Sequence, residues 1–221
     1  MPHRRLALVP AALALAACGQ NTAEPFELDD SAVRVVNATQ APLDVLLDGE
    51  VALRGLPASA VSNPLPVTSG ARRLQLRPTA GGAAAEVALQ VPSGQALTTA
   101  AVSVGATLTA AVLADTNAAV PAGKTKLRVS NLAASATTVE LFRTQPDFAT
   151  PVRISTPFPY NTTSPYLQSD AGSWEVFVAP AGSAGTPKGA TTGPIALAAG
   201  QRRTVVLLDS AGVLRFRVIA D

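Results

Sequence analysis

Val33-Arg34-Val35-Val36-Asn37 and, further along, Leu127-Arg128-Val129-Ser130-Asn131 set the reading of the whole chain. In each, apolar residues recur with period two, the spacing that puts alternate side chains on opposite faces of a β-strand. Because the pattern returns with arginine and asparagine at the same places, the two stretches read as one strand written twice. Matching blocks follow in the same order on both sides. Leu43, Val45 and Leu47 are set against Thr137, Val139 and Leu141, and Ser62 through Gly70 against Ser164 through Gly172. Gly70 to Pro78 has the span of Gly172 to Pro180, Gly94-Gln95 meets Gly200-Gln201, and Leu108, Ala110 and Val112 meet Leu214, Phe216 and Val218. The body is therefore a module of roughly a hundred residues repeated once, over 32–116 and 125–221, with a linker over 117–124.

Gly and Pro fall between the alternating blocks, where a missing donor or a positive φ does no harm to a ladder. About seven strands per module predict a sandwich of two antiparallel sheets, and no sustained 3.6-residue period calls for a helix. The chain is thus expected to be all-β, two β-sandwiches in tandem. Parity places Leu214, Phe216 and Val218 toward a core and Arg215 and Arg217 toward water. Trp174 shares the parity of Val176 and Val178 and is expected inside, where the first module has Arg72. Ala80 to Ala88 is read as a turn at Gly81-Gly82 leading into a strand.

The first 17 residues have the three parts of a secretory signal: Arg4-Arg5, an apolar run from Leu6 to Leu15, and the small pair Ala16-Ala17. The run is shorter than the ~20 residues that cross a bilayer. Leu15-Ala16-Ala17-Cys18 resembles the lipobox of bacterial lipoproteins, which implies that Cys18 is lipidated and becomes the first mature residue. One acyl chain holds a protein marginally and two or three hold it durably. Residues 18–31 form an acidic tether carrying Glu24, Glu27, Asp29 and Asp30, with an r.m.s. span of about 20 Å. Under the sorting preference of enteric bacteria, Gly19, being other than aspartate, implies the outer membrane in a host that has one. The expected location is the cell envelope, reached by export and held by the lipid.

The leader also accounts for the charge. Removing its two arginines from 17 basic residues leaves 15 against 15 acidic, so the pI of 9.0 belongs to the leader. Nucleic acid is therefore not an expected partner. The one histidine, His3, leaves with the leader, and the one cysteine is the lipid site. The mature body then lacks the residues for a Ser-His-Asp or Cys-His nucleophile, a disulfide, or the usual His/Cys metal site. No cofactor, metal or enzymatic activity is expected.

Val33 to Ala38, followed by Ala41-Pro42-Leu43-Asp44-Val45-Leu46-Leu47-Asp48-Gly49, resembles the opening of the bacterial domain of unknown function 4397. That family tends to read valine-arginine-valine-valine-histidine-alanine-serine-proline, then a valine-aspartate-valine strand ending in aspartate-glycine. Ser164-Pro165-Tyr166-Leu167 and the run from Ala171 to Gly182 are similar to its proline-tyrosine-leucine and alanine-glycine-threonine-tyrosine segments. The resemblance covers nearly all of the mature body and implies immunoglobulin-like β-sandwiches, often in tandem and exported, with no established activity. Two positions depart from it: Asn37 and Asn131 stand where the family has histidine, and Thr39-Gln40 where it has proline-aspartate.

Several residues qualify as candidate sites. Asp44, Asp48 and Glu50 lie on or beside one strand, and paired carboxylates serve glycoside hydrolysis when ~5–9.5 Å apart. The offset used above gives them no acidic counterpart, only Thr138, Phe142 and Thr144, and favours solvated edge charges. Phe158, Tyr160 and Tyr166, among prolines in the loop 157–166, are the best candidate binding surface, suited to a glycan or an envelope protein. Arg72, Arg73 and Arg77, with Arg202-Arg203, are read as exposed strand faces rather than a lipid-phosphate site. The lysines, Lys124, Lys126 and Lys188, fall in loops or at a strand start. Asn37-Ala38-Thr39 and Asn161-Thr162-Thr163 fit a glycosylation pattern that has no meaning in a bacterial lipoprotein.

Overall fold

A computed structural model describes residues 31–113, 119–145, 151–184 and 189–221. The leader, Cys18, the tether as far as Asp30, and residues 117–118 of the expected linker lie outside the described residues. Within them the chain is all-β, with no helix, as the alternating pattern predicted.

The first half contains β1 (Ala32–Asn37), β2 (Leu43–Leu47), β3 (Glu50–Leu56), β4 (Leu65–Pro66), β5 (Gly70–Pro78), β6 (Ala85–Val91), β7 (Ala96–Val104) and β8 (Thr107–Leu113). They form two sheets, β4-β1-β7-β8 and β3-β2-β5-β6. The second half contains β9 (Lys124–Asn131), β10 (Thr138–Thr144), β11 (Val152–Pro159), β12 (Thr162–Thr163), β13 (Leu167–Asp170), β14 (Gly172–Pro180), β15 (Ile195–Leu197), β16 (Arg202–Ser210) and β17 (Val213–Ala220). Its sheets, β12-β9-β16-β17 with β13 also on β9, and β11-β10-β14-β15, repeat the order of the first half. Each half also has one parallel pairing, β1 with β7 and β9 with β16, amid antiparallel ones. Alternation reports which face a residue occupies but not which way its neighbour runs.

Local chemistry places the turns. Asp48-Gly49 has φ of 52° and 89° and joins Leu47 to Glu50 by a two-residue hairpin, the conformation Asp-Gly adopts most readily. Gly81-Gly82 turns the chain into β6, as read from the sequence.

Each half has its own core between its two sheets. Val33, Val35, Leu43, Val45, Leu74, Leu76 and Ala101 fill the first, and Leu127, Val129, Leu141, Val176, Val178, Val205 and Leu207 the second. A third core joins the halves. Val36, Ala38, Ala100 and Val102, on the other face of β1 and β7 and the loop after β1, pack against Leu132, Val206, Leu208 and Ile219. The order of layers is therefore sheet, core, sheet, core, sheet, core, sheet. The two inner sheets are buried on both faces, which is why β7 and β16 are buried over almost their whole length.

Two expectations about side chains change. On β17, Leu214 and Phe216 pack on the second core, but Val218 is 44% exposed and Ile219, of opposite parity, is buried in the joint. The strand outruns its own sandwich there, so the inward row ends before Val218. Trp174 is half-buried at the rim of the second core. Its indole N–H donates to the Asp170 carbonyl at 3.0 Å, and the Arg143 guanidinium lies 5.1 Å from the ring centroid.

Candidate functional site

The loop 157–166 was the leading candidate surface, and the structure sends its three rings to three environments. Phe158, on β11, is only 3% exposed and belongs to the second core. Tyr160 is half-buried against the core joining the halves and donates its hydroxyl to the Ser103 carbonyl at 2.7 Å. Burial pushes its pKa up, and the Asp209 carboxylate adds to the rise against the lowering effect of the Ser103 bond. Tyr166 has Arg128 4.7 Å over its ring and donates to the Asp221 carboxylate at 2.9 Å. The loop is a strap between sheets and between halves: Phe158 is withdrawn into a core, while Tyr166 lines an open cleft with Arg128, Val112 and Leu113.

Tyr160 is one half of a reciprocal set. In strand register Arg34 stands opposite Thr98, which stands opposite Leu113, and Arg128 opposite Thr204, which stands opposite Ile219. Arg34 donates to the Ala220 carbonyl at 2.9 Å, and Arg128 donates to the Leu113 carbonyl at 3.4 Å. Ser103 and Asp209 are likewise equivalent, opposite Leu108 and Leu214. Tyr160 reaches the carbonyl of the first, and the Ser59 hydroxyl donates to that of the second. Both reaching loops turn at a residue with φ of 55°, Ser59 in one and Asn161 in the other. The halves thus face each other like the protomers of an isologous dimer, fused into one chain.

The carboxylates are committed to the scaffold. Asp44 accepts from the Gly55 amide at 2.9 Å and lies 3.8 Å from Arg77, while Asp48 accepts from the Arg73 amide at 2.8 Å and lies 3.6 Å from Arg72. The structure also corrects the matching of β2 with β10. Leu43 pairs with Pro78 and Val139 with Pro180, so Asp44 corresponds to Glu140, not Thr138. The second half has two more residues between its asparagine and this strand, and a slip of two preserves parity. Glu140 is 2% exposed, 3.6 Å from Arg153, and accepts from the Gly182 amide. The other buried glutamate of that face, Glu175, sits opposite Thr144, four positions along β10 and so about 13 Å away. That exceeds the separation a hydrolytic pair needs, about 5–9.5 Å.

The basic residues are similarly engaged. Arg73 lies 3.5 Å from Glu86, Lys124 pairs with Asp170, and Lys126 donates to the Ala119 carbonyl at 2.9 Å. Hydrogen bonding to Lys124, then its charge, holds the Asp170 carboxyl below its usual range. Lys188 lies outside the described residues.

The family-departing asparagines are buried latches, a role that reading by motif missed. Asn37 is fully buried, and its amide donates to the carbonyls of Ala41, Leu56 and Pro57 at 2.8, 2.9 and 3.0 Å while its oxygen accepts from the Thr39 amide. Asn131 does the same for Ala136 and Phe158 at 2.8 and 3.1 Å and accepts from the Ala133 amide. Each ties the loop after the first strand of its half to the end of an edge strand in the opposite sheet, β3 or β11. The signal available in the sequence was an asparagine two residues before a backbone turn, which often closes on the chain. Burial also removes Asn37 from any glycosylation role.

One cleft, of about 460 Å³, opens at an end of the first half between Thr39-Gln40-Ala41, Gly82-Ala83 and Ser103 to Leu108. Its lining is uncharged, with Leu43, Pro78 and Leu108 among hydroxyls and an amide, and it holds no nucleophile-and-base pair. The corresponding end of the second half is bridged by Ser135, whose amide and hydroxyl both donate to the Asp209 carboxylate. No group of histidine, cysteine, aspartate and glutamate suited to a metal ion occurs among the described residues.

Comparison with known proteins gives one family. Residues 31–142 match the model of a domain of unknown function (DUF4397), covering the first half and the opening of the second. No curated protein matches the chain. Among solved structures it is similar to a candidate cell adhesion protein from Bacteroides fragilis, at 13% identity over 96% of this chain and 92% of that one, with a TM-score of 0.23. A second, from Bacteroides uniformis, has 11% identity over 87% and 99%, TM-score 0.23. A leucine-rich repeat protein from Bacteroides thetaiotaomicron has 13% identity over 84% of this chain, which spans 26% of that protein's length, again with a TM-score of 0.23.

Proposed function

Since the chain belongs to the DUF4397 family, we propose that it is an exported, lipid-anchored envelope protein whose duplicated β-body acts as a non-enzymatic structural or interaction module. The observation that carries this reading is Leu15-Ala16-Ala17-Cys18 behind a basic and apolar leader. The thiol of Cys18 is the acceptor for a diacylglyceryl group, and multiple acyl chains make attachment durable without a spanning helix. The body supports the non-enzymatic part. It has no histidine or cysteine after Cys18, and its paired carboxylates are bonded to arginines and backbone amides. A module of this kind works by presenting surfaces within its tether's reach of the membrane, and its partners are the lipid bilayer and other envelope components.

Metabolic labelling with a tagged palmitate, followed by mass analysis of the N-terminus, tests the anchor. Labelled protein beginning at Cys18 is expected in the membrane fraction, and Cys18→Ala is expected to lose the label and leave it. An unmodified N-terminus beginning elsewhere, or a Cys18→Ala protein that keeps the label, refutes the reading.

A further inference from the structure

Among the described residues every sheet ends in edge strands, and all but one of these are guarded against pairing with another chain. β4 and β12 are two residues long, and β15 three. β3 carries Glu50 and Arg54, β6 Glu86, β11 Arg153 with Pro157 and Pro159, and β17 Arg215 and Arg217. β8 has no such protection. Thr107-Leu108-Thr109-Ala110-Ala111-Val112-Leu113 is seven residues without a charge or a proline, and its Val112 side chain is 40% exposed.

The hairpin fixes which backbone groups face outward. β7 and β8 are joined by the two-residue turn Gly105-Ala106, with Gly105 at φ 60°, so Val104 and Thr107 form the closing hydrogen-bonded pair. Bonding alternates along an antiparallel ladder. Thr107, Thr109, Ala111 and Leu113 therefore bond to β7, and the N–H and C=O groups of Leu108, Ala110 and Val112 point away from it. These three residues are symmetric about Ala110.

We propose that β8 is the surface through which two copies of this chain associate, antiparallel about a two-fold axis at Ala110, joining two four-stranded sheets into one of eight. In that register Ala110 meets Ala110 of the second copy and Leu108 meets Val112, so each outward donor finds an acceptor and the exposed valine gains an apolar neighbour. Charge selects the occupant. Pairing β8 with an edge such as β17 or β3 brings arginine or glutamate against an uncharged strand, whereas β8 against itself brings none. The contact is about 24 Å long, at the small end of specific interfaces, and so reversible, with Kd between micromolar and millimolar.

Sedimentation of the full chain in detergent, from micromolar to about 1 mM, reads the association. A concentration-dependent dimer is expected, with hydrogen exchange slowing at the amides of Leu108, Ala110 and Val112. Val112→Lys charges the edge through a side chain that is already exposed, and Ala110→Pro removes a donor that does not serve the β7 ladder. Both are expected to remain monomeric across the range, with the thermal midpoint of Val112→Lys within a few degrees of the parent. If Ala110→Pro fails to fold, Val112→Lys alone decides. A parent chain that stays monomeric, a dimer that survives Val112→Lys, or exchange unchanged at those three amides overturns the proposal.

Discussion

Truncating Leu208 to alanine measures whether the two halves form one cooperative unit. Leu208 is fully buried in the core that joins them, while its neighbour Leu207 is equally buried in the core of the second half. Leu→Ala removes three carbons, worth about 2.4 kcal/mol at ~0.8 kcal/mol each. Incomplete collapse of the surrounding side chains adds a cavity cost, bringing the total to about 3–5 kcal/mol. At ~2–4 °C per kcal/mol for a body of this size, the midpoint should fall by roughly 6–20 °C. The assay is thermal denaturation and urea denaturation, both followed by circular dichroism, with Leu207→Ala as the internal standard. Both variants should lower the midpoint comparably in a single transition with unchanged slope. If the halves merely followed one another on a string, Leu208 would face water and its truncation would cost less than ~0.5 kcal/mol. That result, beside a large effect at Leu207, would refute the joined core.

Three further outcomes follow from the hydrogen bonds. Tyr160→Phe deletes the bond to Ser103 and should cost about 0.5–1.5 kcal/mol by the same denaturation assay. Because the folded state raises the Tyr160 pKa, its contribution is fully present below the unfolded value near 10 and is lost as pH rises through the folded value. The parent should therefore lose stability above about pH 10 more steeply than Tyr160→Phe, and equal slopes would count against the burial of that hydroxyl. Asn37→Ala leaves three carbonyls without their donor and should cost at least ~1–3 kcal/mol, with Asn131→Ala close behind; a cost near zero in either would show the latch to be dispensable.

Much of this architecture was written in the alternation of residues. Val33 and Val35, and Leu127 and Val129, point to cores as their spacing required, and Gly70–Pro78 and Gly172–Pro180 are matching strands. What alternation could not resolve were shifts by an even number. Asp44 was set against Thr138 instead of Glu140 because a two-residue slip keeps every face correct. The joined core had a visible trace in Val205-Val206-Leu207-Leu208, an unbroken apolar run that fits a strand covered on both sides, yet such a run has no unique partner. Val218 and Ile219 exchanged roles because the end of a sandwich is set by the neighbouring sheet, not by the strand itself. The candidate loop 157–166 is tied into the scaffold. Its rings fill a core, span a joint and stack under an arginine, and composition alone cannot distinguish a ring that packs from one that waits for a ligand.

Covalent fusion changes what the face between the halves is free to become. In a dimer of separate identical subunits every substitution at the contact appears twice, so an acid on one side faces an acid on the other or its own image. Here the matching positions have diverged. One carries Ser103 and the other Asp209, the strap residue is a tyrosine on one side, and only one side has Ser135 to answer the carboxylate. A chain that carries both sides of a contact can make them complementary instead of identical, and its outer sheets are free to take separate tasks.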